Sequence, residues 1–216
     1  MRVSFRMASV EEETGRVLGV IQKLEVYSKN NYKPRLPPLS AVSLKKLKRD
    51  PNDKGLMNQL RLTIKEERKK ASGLYQCHID KIKKDWHKAE AKFFKRAKRI
   101  VKINPQKKYF TRCTFYGVGG NYKPPTAIIL NIVSLFVSYR TVAHEILHLL
   151  IEPFIEKYKI PHWYKERLVD LYLNKILDSQ RWQNIDKTIT KATDKVFNKF
   201  YQKGAEIIIK ELAGRI

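Results

Sequence analysis

The sequence predicts an α+β protein, mostly helical, with a small antiparallel or mixed sheet next to one apolar helix. Three observations carry that class. Residues 43–102 place apolar side chains at helical spacing almost throughout. Strand-like runs at 2–7, 109–118 and 127–133 are short and bounded by Gly, Pro and Asn. After Ser138 the pattern turns helical and stays so to the end. With 216 residues and 43% hydrophobic content, the chain is long and apolar enough for a sizeable core. It divides into an N-terminal strand and basic helical region, 1–108, and a second region, 109–216, packed as one unit.

The elements follow in order. Residues 2–7 alternate, with Val3, Phe5 and Met7 on one face, and read as a strand and not a signal peptide. A helix over 10–26 carries Val17, Leu18, Ile21 and Leu24 at helical spacing. Residues 30–40, with Pro34, Pro37 and Pro38, form an extended connector. In the helical stretch 43–102, Asp50-Pro51-Asn52-Asp53 makes one break and Ser72-Gly73 a second break or kink. Ile82, Trp86, Ala89, Phe93, Ala97 and Ile100 form its apolar stripe. Strands at 109–118 and 127–133 flank a turn at Gly119-Gly120-Asn121, with Lys123-Pro124-Pro125 a loop or exposed edge. One helix then carries His144 and His148, another spans 163–177, and the last forty residues read as one or two further helices, with stripes at Ile185, Ile189, Ala192, Val196, Phe200 and at Ile207 to Leu212.

The net charge is +24, from 45 Lys and Arg against 21 Asp and Glu. Residues 41–108 hold 22 basic and 7 acidic residues, so 15 of the excess charges lie on these helices. The charge reads either as compositional drift in a chain rich in Lys, Ile, Asn and Tyr, or as a surface for nucleic acid or an acidic partner. No apolar segment is long enough to be a transmembrane span. Cys77 and Cys113 are far apart, lack CxxC spacing and fit a reducing compartment, so a cytoplasmic location is expected. His78 and His87 are expected at solvated positions.

The chemistry concentrates in His144-Glu145-Ile146-Leu147-His148. Histidines at i and i+4 share one helix face and reach one metal ion, and the intervening glutamate can act on a water beside it. Val142, Ala143, Ile146, Leu147, Leu149 and Leu150 make this helix buried, where His and Glu are costly without partners. Glu166, 18 residues beyond His148, can return on a second helix as a third ligand and leave a fourth position open, the mark of a catalytic zinc. Asp170, one turn further, can accept the free ring N–H of a ligating His.

These residues, from Thr141 to His148 and from Trp163 to Asp170, resemble the gluzincin group of zinc metallopeptidases, the thermolysin-like and aminopeptidase-like superfamily. The resemblance covers roughly residues 109–178, and the compact size is similar to that of minimal gluzincins. It implies one Zn2+ held by His144, His148 and Glu166, with Glu145 as general base in the hydrolysis of a peptide or protein substrate. It also implies an edge strand pairing with extended substrate, expected at Ala127, Ile128, Ile129, Leu130 and Asn131. His162, Tyr164 and Tyr201 are the candidate oxyanion donors. Arg167 departs from the group, which commonly has a small residue there. The Gly-x-Met-Glu-Asn segment of the aminopeptidases is absent, which favours an endopeptidase. Two alternatives stand beside this reading. One is a nucleic-acid-associated zinc protease with His162 as third ligand, a spacing that resembles SprT-like proteases. The other is a non-catalytic basic binding protein.

Overall fold

The computed structural model describes residues 2–134, 136–178 and 183–216. Its α+β architecture is mostly helical, with one mixed four-stranded sheet. Strand β1 (Arg2–Met7) leads into α1 (Val10–Gln22), whose Ser9 and Glu12 form a reciprocal cap. The helix expected over 10–26 is interrupted at Lys23, and α2 (Leu24–Lys29) continues it. Helix α3 (Ala41–Arg49) starts on Ser40, and α4 (Lys54–Val101) starts on Asp53. The 48 residues of α4 run unbroken to Lys102, a span of about 72 Å. The break expected at Ser72-Gly73 does not occur. A helical glycine costs only about 1 kcal/mol against alanine, less than the burial of Ile64 on one side and Ile79 and Ile82 on the other supplies.

Strands β2 (Lys108–Thr114), β3 (Gly120–Lys123) and β4 (Ala127–Asn131) complete the sheet, in the order β1-β2-β4-β3. The first three in that order are parallel neighbours, and β3 pairs antiparallel with β4. Two expectations are corrected here. Gly119-Gly120-Asn121 is not a turn, because Gly120 already opens β3, and the chain reverses at 124–126. Ala127–Asn131 is not an edge: β2 and β3 occupy both its sides, so its backbone groups are used within the sheet. The edge strand beside the next helix is β3.

Helix α5 (Tyr139–Lys157) is followed by α6 (His162–Leu177), α7 (Lys187–Phe200), a short 3-10 turn and α8 (Ala205–Ala213). One contiguous core runs from Val3 to Leu212 and takes in residues of both halves. Trp86, Phe93 and Phe94 of α4 form an aromatic chain ending stacked on Tyr109 of β2, so the sheet is bolted to the long helix. His78 is not solvated: its ring nitrogens lie 2.8 and 3.0 Å from the carbonyl oxygens of Ile132 and Val137. It ties α4 to the connection that feeds α5. His87 is exposed, as expected.

The sheet has two unlike faces. Val3, Tyr109, Thr111, Cys113, Ile128 and Leu130 point into the core, whereas Arg2, Ser4, Arg6, Lys108, Phe110 and Lys123 stand in solvent. Among the described residues, no helix is long and apolar enough to cross a membrane.

The aromatic chain gives a test of this assembly. Phe93 is fully buried between Trp86 and Phe94. Phe93→Ala is expected to lower unfolding free energy by about 3–5 kcal/mol, measured by urea denaturation; a change under about 1 kcal/mol would contradict the packing.

Candidate metal centre

Helix α5 is apolar on most of its circumference, with Val142, Ala143, Ile146, Leu147 and Ile151 fully buried. That burial fixes its rotation, and the i, i+4 spacing then sets His144 and His148 side by side toward α6. A connection of four residues, 158–161, with Lys159 at φ 53°, turns the chain into α6. Leu168, Val169, Tyr172 and Ile176 bury the far side of α6, which presents Glu166 and Asp170 to the two histidines.

The ligating atoms form a compact triangle. His144 Nε2 and His148 Nε2 are 3.0 Å apart, and each is 3.3 Å from one oxygen of Glu166, Oε2 and Oε1 respectively. Tetrahedral zinc at about 2.0–2.1 Å from its nitrogen ligands separates them by about 3.3–3.4 Å, so the triangle has the right size. Its three residues are also the ones whose donor atoms come together as a metal-binding group among the described residues. The chemistry of the set agrees. Two imidazole nitrogens face each other beside a carboxylate that is 7% exposed, an arrangement that either a proton or a shared cation can compensate. His148 Nδ1 is buried without a partner among the described residues.

The charge states show the same strain. Burial works against a proton on His144, but the hydrogen bond to Glu166 and the charges of Glu145, Glu166 and Asp170 prevail and hold it at about 9. Burial takes His148 down to about 4. Glu166 stays well below the usual carboxylate range despite its burial, because both histidines face it. Burial pushes Glu145 up to about 7, with His144, Lys165 and Arg16 pulling the other way.

Around the triangle, Asp170 Oδ1 lies 3.8 Å from His144 Nδ1, on the side away from Glu166. Gln183 closes the back, its amide N–H donating to Asp170 at 3.0 Å and its side chain to Glu166 at 2.9 Å. Glu145 packs under the edge strand: a Cβ on Gly120 would land on its carboxylate. Tyr122, two residues along β3, stacks on His148 with ring centroids 4.7 Å apart and planes 10° from parallel. Its hydroxyl donates to Glu152 at 2.7 Å and accepts from Lys165 Nζ at 2.7 Å.

A cavity of about 670 Å³ opens on the triangle, lined by the edge strand, α5, the start of α6 and two tyrosines from the N-terminal half, Tyr27 and Tyr32. The 32–35 segment links α6 to the loop before β3. Tyr32 stacks on Trp163, and its hydroxyl is 3.3 Å from His162 Nε2. Three residues on, Arg35 exchanges backbone hydrogen bonds of 2.9 and 2.8 Å with Gly117, in the loop before β3.

Of the residues singled out from the sequence, His144, Glu145, His148, Glu166 and Asp170 meet in one place. His162 lines the cavity but stands outside the triangle, its Nδ1 3.7 Å from Glu166 and its ring bonded to Tyr32. Two expected oxyanion donors are elsewhere. Tyr164 packs against the core and Tyr201 stacks on Phe197 of α7, and neither lines the cavity. Arg167 does not crowd the triangle; it points to α7 and makes a bidentate pair with Asp194 at 2.7 and 2.6 Å. Sequence reasoning missed Tyr32, Tyr122, Lys165 and Gln183. Only Tyr122 and Lys165 carried a signal, Tyr122 as a near neighbour of the expected edge strand and Lys165 as the neighbour of Glu166, the expected third ligand.

Comparison of the chain with protein-family models, with curated proteins and with solved structures finds no match.

A divalent cation at the triangle must displace the proton held by His144. Zinc affinity is therefore expected to fall about tenfold for each pH unit below 9, with a proton released on binding. Calorimetry in two buffers of different ionisation enthalpy measures both, and pH-independent binding would contradict this account of the site.

Proposed function

We propose that this protein is a zinc-dependent metallopeptidase of gluzincin type, with one zinc ion held by His144, His148 and Glu166. The observation that carries the reading is the donor triangle set beside a buried glutamate and a free strand edge. When bound, zinc supplies a Lewis acid that acidifies a water and polarises the scissile carbonyl. Glu145 is placed to accept a proton from the attacking water and would return it to the leaving amine. A carboxyl raised to about 7 by burial suits both halves of the transfer near neutral pH. Asp170 orients the His144 ring, and Gln183 holds Asp170 and Glu166 in register.

The outer backbone edge of β3 is the docking line for an extended substrate, since β4 uses only its inner edge. The sequence of that strand, Gly120-Asn121-Tyr122-Lys123, offers no carboxylate to a substrate α-amine, which supports an endopeptidase. Tyr32 and His162, both facing the cavity, supply hydrogen bonds to the developing oxyanion in place of Tyr164 and Tyr201. Glu166, and not His162, joins the two histidines in one group of donor atoms, which favours the gluzincin reading over the SprT-like one.

Two substitutions test the reading on zinc-loaded protein with an unfolded protein as substrate. Glu145→Gln is expected to keep one zinc per chain and lose about 10²–10⁴-fold in turnover; wild-type turnover in that variant would sink the proposal. Gly120→Ala drives a methyl group into the Glu145 carboxylate. It is expected to lower kcat by about 100-fold at unchanged zinc content, read by peptide cleavage and metal analysis together.

A further inference from the structure

The solvent face of the sheet is the second place where the fold presents an unusual combination of groups. It faces away from the donor triangle, because strand residues alternate and Tyr122, which meets His148, lies on the core side. Phe110 sits near the middle of this face at 56% exposure, an aromatic ring left in water. The register puts Ser4 of β1 and Ala127 of β4 directly beside it, small residues that leave both flanks of the ring open. Lys108 and Arg112 are its same-face neighbours along β2, about 7 Å away. Arg2 and Arg6 lie diagonally on β1, and Lys123 lies on β3 opposite Ala127.

The charge on this face is poorly compensated. Glu12 reaches over to Arg6 at 2.5 Å and Arg112 at 3.0 Å. No ion pair engages Arg2, Lys108 or Lys123 among the described residues. The face therefore carries five cations against one carboxylate around a single exposed ring. A core position would bury that ring, and a purely solvating face would have no use for it. Solvated phosphates matched to the cations and a flat apolar body matched to Phe110 occur together in an unpaired polynucleotide, whose bases are free to stack.

We propose that the open face of the sheet binds single-stranded nucleic acid, with one base stacked on Phe110 and the backbone phosphates on Lys108, Arg112, Arg2 and Lys123. The contacts are to base and phosphate and not to sugar, so RNA and DNA single strands are bound alike. A duplex is excluded because its bases are already stacked. This site is independent of the metal centre, and neither needs the other to function. It also differs in place and chemistry from the lysine-rich outer side of α4, which offers charge without an exposed aromatic ring.

Fluorescence anisotropy with labelled oligo(U) and oligo(dT) of about 12 nucleotides tests the proposal on the full chain. The two are expected to bind within threefold of each other and well above a duplex of equal length. Phe110→Ala is expected to weaken binding about 5- to 150-fold and Phe110→Trp to retain it. Lys108→Ala and Lys123→Ala should each flatten the salt dependence by about 0.7 in the log–log slope. Thermal melts of all four variants check the fold, and Glu145→Gln should bind as wild type does. Unchanged affinity in Phe110→Ala, equal binding of duplex, or no binding at about 50 mM salt would each overturn the assignment. So would a dimer in sedimentation that Phe110→Ala dissolves while binding persists, since the face would then be a self-association surface.

Discussion

Two imidazoles and three carboxylates, four of the five groups buried, crowd together where α5 meets α6 and β3, and the rest of the site is arranged around their electrical compensation. Little of each group reaches the cavity, so each charge is largely met by another or loses its ionisation. His144 keeps a proton because Glu166, Glu145 and Asp170 surround it, whereas His148, deeper, gives its own up. The same compensation can come from one divalent cation at the centre of the triangle. In either state the helices cannot slide relative to each other without separating Glu166 from both histidines.

The sheet and the N-terminal half serve that constraint from outside. Gly120 leaves room for the Glu145 carboxylate, and Tyr122 lays its ring along His148. The Tyr122 hydroxyl sits between Lys165 and Glu152, tying strand, α6 and α5 together with complementary charge. His78 of α4 holds the connection into α5, and the 32–35 segment links Trp163 of α6 to Gly117 in the loop before β3. The basic N-terminal half is thus part of the site's frame. The sheet divides its labour by face, with the core side supplying Gly120 and Tyr122 to the candidate metal centre and the solvent side keeping Phe110 and its cations in water.

Much of the fold was legible because its determinants are local. Helical periodicity marked α1, most of α4, α5 and α6, and Ser9, Ser40, Asp53 and Ser138 sit where helices begin. What failed were readings that depend on partners distant in sequence. Gly119-Gly120-Asn121 has turn composition, yet Gly120 is held in a strand because β4 offers it a free edge. Ala127–Asn131 has strand composition whether it is central or at an edge, and only the pairing of β2 on its other side decides which. Ser72-Gly73 is a weak point that the packing on either side holds straight.

For the site, the sequence by itself determined which residues share a helix face. His144 and His148 follow from 3.6 residues per turn, and Glu166 and Asp170 from the same rule on the next helix. It did not determine which tyrosines or histidines complete the cavity. Tyr164 and Tyr201 are close in sequence or character but turn away, while Tyr32, more than a hundred residues before the motif, turns in. Spacing along a helix is a property of the local backbone and can be read from sequence. Which elements meet across a cavity is a property of the packed core, and only the tertiary structure decides it.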